Sequence, residues 1–129
     1  MSTSEMRSAA DTAIRIGVVL LTLIAAAVHL SLLFPDVAFI LNGLGYLALL
    51  GALYLPIPRL APYRHIVRLA LMGYATLTIV LWVAIGERSV LGVLTTADEV
   101  ALVTLLVLEG RRMRSRPSRG VPVSHQSHN

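Results

Sequence analysis

The chain has 129 residues, 56% of them hydrophobic and only 14% charged, with a mean hydropathy of +0.75. A soluble domain carries about 25% charged residues, so this chain is poorly suited to water, and its length leaves no room for a second domain. It has no cysteine, which excludes disulfides, thiolate metal sites and thiol nucleophiles, and its net charge of +4 rests on eleven basic residues that are all arginine.

A helix needs roughly 20 apolar residues to cross about 30 Å of hydrocarbon. Four runs meet that length, so the expected fold class is all-α: a four-transmembrane-helix bundle, up-down-up-down, with short connections and a disordered C-terminal tail. Residues 1–13 form an N-terminal segment ahead of the transmembrane domain, which covers 14–110. The first helix covers about 14–34 and ends at the turn signal Pro35-Asp36. Within it Thr22, Ala25, Ala26 and His29 follow an i, i+3, i+4, i+7 spacing and make one small or polar face, suited to packing on another helix. A cleaved signal peptide is the competing reading, with Ala25-Ala26-Ala27 as the cleavage site. The apolar run continues through Val28 to Phe34, which favours an uncleaved span.

The second helix covers about 37–55 and stops at Pro56-Ile57-Pro58, because proline cannot continue a helix. Asn42, Gly45, Tyr46 and Leu49 share one of its faces. His29 and Asn42 both lie about 7 Å from the first connection, which puts them within hydrogen-bond reach if those two faces meet. The third helix covers about 66–85, with Tyr74, Thr78 and Trp82 on one face. The fourth covers about 90–109 and contains Asp98 and Glu99.

That pair has two readings. Thr96-Ala97-Asp98-Glu99 matches a capping box, which would start the helix at Thr96 and leave a short span. Alternatively the helix starts near Leu91, and Glu99 sits about 12 Å inside it, in need of a partner.

The arginines orient the bundle. Arg7 and Arg15 precede the first helix; Arg59, Arg64 and Arg68 surround the second connection; Arg111, Arg112, Arg114, Arg116 and Arg119 follow the fourth helix. Only Arg88 falls on the other face. By the positive-inside rule the arginine-rich face is cytoplasmic, so both termini are expected there, in a multi-pass protein of the cell membrane. Arg59, Arg64, Arg68, Arg111, Arg112 and Arg114 are read as lipid-contacting and topology-determining, with anionic lipids at the cytoplasmic face as partners. Nucleic acid is not expected, since no aromatic residue lies among the tail arginines.

Ionisable and polar side chains inside a membrane default to functional hypotheses. The candidate site is therefore an outer-half polar cluster of His29, Asn42, Tyr46, Thr78, Asp98 and Glu99. No nucleophile triad, Walker motif or zinc-helix motif is present, so neither catalytic residues nor a metal site is expected. No cofactor is expected either; His29 offers a single ligand to a haem or quinone, and His65 lies at the opposite end. His125 and His128, in the tail, are too sparse for a metal site.

His29-Leu30, the stretch Leu41-Asn42-Gly43-Leu44-Gly45-Tyr46-Leu47, and Glu99-Val100-Ala101-Leu102 resemble a pattern in small uncharacterised four-helix membrane proteins of bacteria and archaea. The resemblance covers most of the membrane part; it implies the fold and no activity. Two functional classes follow from the residues. One is an accessory or packing subunit, as a homo-oligomer or within a larger membrane complex. The other is an oligomeric small transporter or channel that uses the outer-half polar cluster.

Overall fold

The computed structural model describes residues 2–31, 37–86 and 88–115. Four α-helices account for most of them: α1 (Thr3–Ser31), α2 (Val37–Tyr54), α3 (Arg64–Ile85) and α4 (Val90–Arg114). A short 3-10 helix, Pro58–Tyr63, joins α2 to α3. Among the described residues there are no strands. All four helices are long and apolar enough to cross a membrane.

Side-chain contacts fix the directions. Arg15 and His29 of α1 meet Glu109 and Glu99 of α4, so the two helices run oppositely. Arg68 and Thr78 of α3 meet the same two glutamates in the same reversed order. Tyr46 and Tyr54 of α2 meet Glu99 and Glu109, so α2 and α4 run the same way across the bundle diagonal. The result is an up-down-up-down ring, with each helix packed on its two neighbours. One end carries the α1–α2 and α3–α4 connections (the hairpin end). The other carries the α2–α3 connection and the outer ends of α1 and α4 (the terminal end).

Polarity is arranged inside out. The buried polar residues Thr22, His29, Arg68, Glu99 and Glu109 point inward, while Ile16, Leu20, Leu41, Leu77, Val90 and Leu94 are each about half exposed or more. A water-soluble bundle would place these groups the other way. Two close approaches depend on glycine. A Cβ on Gly43 would lie 3.0 Å from the Ala26 carbonyl oxygen of α1, and one on Gly45 would collide with the Tyr74 hydroxyl. Both glycines let α2 sit against its neighbours at the height of His29 and Tyr46.

The helix ends differ from expectation in two places, and at a third the sequence leaves the choice open. α1 begins at Thr3, so most of the segment before Ile14 is helical rather than a separate lead-in. Its exposed first turns run beside the last turns of α4, where Arg112 Nη1 lies 3.5 Å from Asp11 Oδ1. For the same reason residues 111–114 continue α4 instead of opening a disordered tail. The tail from 116 to 129, with His125 and His128, lies outside the described residues, as does the Pro35-Asp36 turn. Of the two readings of the α4 start, the structure has the earlier one, and the capping box at Thr96 is not formed. Ser89 is the N-cap and accepts a hydrogen bond from the Gly92 amide at 3.1 Å, while the Thr96 hydroxyl donates inside the helix to the Gly92 carbonyl. Glu99 therefore stands about 13 Å into α4 at 1.5 Å per residue.

Candidate functional site

Two helices carry the same pattern in opposite directions. On α4, Glu99, Leu102, Leu106 and Glu109 follow i, i+3, i+7, i+10, and all four are buried. On α3, Arg68, Leu71, Ala75 and Thr78 do the same, with Thr78 half-buried. Antiparallel packing then sets Thr78 against Glu99 and Arg68 against Glu109. On α1 the polar positions recur every seven residues, at Arg15, Thr22 and His29. The bundle thus holds two polar clusters about 15 Å apart along α4. Val18, Leu53, Leu71, Leu102 and Leu106 form a layer of fully buried apolar side chains between them. Thr22 sits in that layer with its hydroxyl donated to the Val18 carbonyl at 2.7 Å, so it offers no unmet hydrogen-bond donor.

The cluster toward the hairpin end is built on Glu99, 2% exposed. Each of the other three helices sends it one polar side chain. The Tyr46 and Thr78 hydroxyls both lie 2.8 Å from Oε1 of Glu99 and 3.0 Å from each other. Nε2 of His29, on a residue 7% exposed, lies 4.0 Å from the same oxygen. The imidazole tautomer follows from its other contact. Nδ1 of His29 is 2.8 Å from the Ala25 carbonyl oxygen, which can only accept, so Nδ1 carries hydrogen. Nε2 is therefore the nitrogen that faces the carboxylate. At 4.0 Å this is a contact of charges rather than a hydrogen bond, and a single proton on either group leaves the pair without net charge. Without that proton a buried carboxylate would face a nitrogen lone pair, and an unpaired buried charge is strongly disfavoured.

Aromatic rings hold this arrangement. Tyr46 stacks edge-on against Tyr74 at 5.0 Å and lies 5.7 Å from the His29 ring, and the Phe39 ring lies 6.2 Å from that of His29. Tyr74 occupies the space that Gly45 leaves and donates to the Asn42 carbonyl at 3.2 Å.

A cavity of about 1000 Å³ opens on Glu99, with His29, Tyr74 and Thr78 beside it. It extends to Ile85, Gly86 and Ser89 at the hairpin end. Leu41, Leu77 and Leu81 on its wall are about half exposed or more, so it also opens sideways between α2 and α3. Trp82 lines its rim, with the Arg88 guanidinium 4.9 Å above the indole ring. The walls are apolar and aromatic, and among the described residues the only acidic group on its lining is Glu99.

Of the six residues singled out from sequence, four meet directly: His29, Tyr46, Thr78 and Glu99. Asn42 lines the cavity and contributes its backbone carbonyl, while the described hydrogen bond of His29 goes to Ala25 instead. Asp98 lies on the adjacent face of α4, about 100° round the helix, and its Oδ2 is buried with no hydrogen-bond partner among the described residues. Nδ1 of His29 is taken by the Ala25 carbonyl, and Nε2 faces Glu99 at 4.0 Å. Among the described residues no three His, Asp or Glu side chains are grouped as a metal site would need.

Sequence reasoning misses the second cluster. Glu109, 5% exposed, receives Arg68 Nε at 3.0 Å and the Tyr54 hydroxyl at 3.1 Å, with Arg15 Nε at 3.7 Å. Arg68 is 8% exposed and also donates to the Met113 sulfur. Its reading as a lipid-facing charge is thus corrected: it is an internal ion-pair partner. The signal for Glu109 is its i+10 spacing from Glu99, matched by Arg68 and Thr78 on α3.

Comparison with protein-family models, with curated proteins and with solved structures finds no match for this chain.

Proposed function

We propose that this chain is a four-span integral membrane protein of the cell membrane, with both termini cytoplasmic, that takes up small amphiphilic cations in its outer cavity in exchange for a proton at Glu99. The inside-out polarity supports the spanning arrangement, since lipid favours outward apolar side chains and penalises outward charge. The arginine bias supports the orientation, with the hairpin end outside.

The observation that carries the activity is a buried carboxylate, contacted from three other helices, at the floor of an apolar cavity. Apolar and aromatic walls select an organic ligand; the carboxylate selects a positive one. A cation beside Glu99 keeps the site balanced only if the pair's proton leaves, and this links the two. The apolar layer below Glu99 separates the site from the terminal end, as a carrier requires. So small a bundle encloses no path through itself, so transport calls for an oligomer or a rocking of helices about that layer.

In proteoliposomes with a proton gradient, the protein should drive movement of a fluorescent lipophilic cation, and Glu99→Gln should abolish it. Flux equal in the parent and Glu99→Gln would overturn the proposal.

A second reading, an accessory or packing subunit of a membrane complex, is favoured by one face of α4. Ala97, Ala101 and Thr104 are exposed there and small enough for close approach of another helix. It predicts that Ala101→Leu breaks association with a partner or a second copy and leaves cation binding unchanged.

A further inference from the structure

The terminal end holds a second cavity, of about 490 Å³, in the seam between α3 and α4. Its mouth is basic: Arg64, His65, Arg111 and Arg114 surround it, with Arg68 deeper in. The arginines are not equivalent. Arg68 is neutralised by Glu109, and Arg112, outside the cavity, by Asp11. Arg64, Arg111 and Arg114 pair with no carboxylate among the described residues. Arg64 gives one Nη2 hydrogen to the Leu55 carbonyl at 3.4 Å, while its Nε is buried with no hydrogen-bond partner among the described residues. A buried donor left unmet is disfavoured and calls for an acceptor. Behind the mouth the seam turns apolar, at Leu69, Met72, Leu106 and Val107.

We infer that this seam is a binding site for one anionic phospholipid, with its phosphate held by Arg64, Arg111 and Arg114 and an acyl chain laid along the apolar seam. Guanidinium groups match phosphate oxygens in charge and geometry. The apolar continuation distinguishes a lipid from a free phosphate, which has no use for it. The inference rests on the membrane reading above, because the mouth must lie at headgroup level on the cytoplasmic side. It goes beyond general attraction of basic residues to an acidic surface, since it assigns one lipid to one seam.

The test is native mass spectrometry of the purified full chain in nonionic detergent, with phosphatidylglycerol and phosphatidylcholine added in equal amounts. The expected result is one retained phosphatidylglycerol per protomer. Arg111→Gln/Arg114→Gln should lower its retention at least tenfold, while Arg7→Gln/Arg59→Gln, which removes the same charge from exposed positions on the same face, should leave it intact. Equal loss in both pairs would show diffuse attraction and overturn the inference, as would equal retention of the two lipids. Inorganic phosphate at millimolar concentration should fail to displace the lipid; full displacement would assign the site to a free anion instead. Alkaline extraction of the source membranes keeps the two proposals apart. A chain released by it refutes the membrane reading, and a chain retained but without lipid preference refutes only this one.

Discussion

Replacing Arg68 by methionine tests the internal ion pair directly. The substitution keeps the length of the aliphatic stem and removes the charge, leaving Glu109 almost fully enclosed with the Tyr54 hydroxyl at 3.1 Å and Arg15 at 3.7 Å. Removing one partner of a buried pair destabilises by about 3–5 kcal/mol. Arg15 is half exposed and offsets no more than about 1 kcal/mol of that, the range of a solvent-screened pair. The expected loss is therefore about 3 kcal/mol. Changing both partners, Arg68→Met with Glu109→Leu, leaves no orphaned charge and should return stability to within about 1 kcal/mol of the parent. The two sites are thus coupled by about 2 kcal/mol or more. Reversible unfolding by a denaturing detergent titrated into mixed micelles measures all four members of the cycle. A single variant within about 0.5 kcal/mol of the parent, or a double variant whose loss equals the sum of the singles, would refute the reasoning.

Other substitutions probe the remaining parts. Gly45→Ala drives a Cβ into the Tyr74 hydroxyl and should lower stability by about 1–3 kcal/mol, with most of it recovered when Tyr74→Leu is added; thermal unfolding in detergent reads both. Tyr46→Phe removes one of the two hydroxyls on Glu99 and should cost about 1 kcal/mol in the same assay, near the usual value for a hydrogen bond between membrane helices. Ser89→Ala removes the cap of α4 and should cost about 1 kcal/mol while speeding amide exchange in the first turn, residues 90–93, with the helix around Glu99 unaffected.

Much of the bundle can be read from the chain because the requirement of a membrane is simple. Four apolar runs of the right length, punctuated by prolines and polar turns, leave little choice of element. His29, Tyr46, Thr78 and Glu99 stand out because a polar side chain among leucines is rare enough to notice. Glu109 does not, because a glutamate two residues before an arginine run reads as one more solvated charge. Only the approach of Arg68 and Tyr54 from other helices turns it inward. The start of α4 is ambiguous for a related reason. Ser89 and Thr96 both have the chemistry of a cap, and the choice depends on whether Glu99 finds partners in the bundle, which is a tertiary fact. The early start of α1 is hidden because residues 3–13 carry no apolar stripe, and it is the last turns of α4 that run beside them.

The central claim is that a cation and a proton compete for Glu99. Titration of tetraphenylphosphonium into the purified protein, in two buffers of different ionisation enthalpy, measures binding and proton release together. The account predicts about one proton released per cation bound, with binding lost in Glu99→Gln, as charge balance at an enclosed carboxylate demands. Binding without proton release, or undiminished in Glu99→Gln, would contradict it.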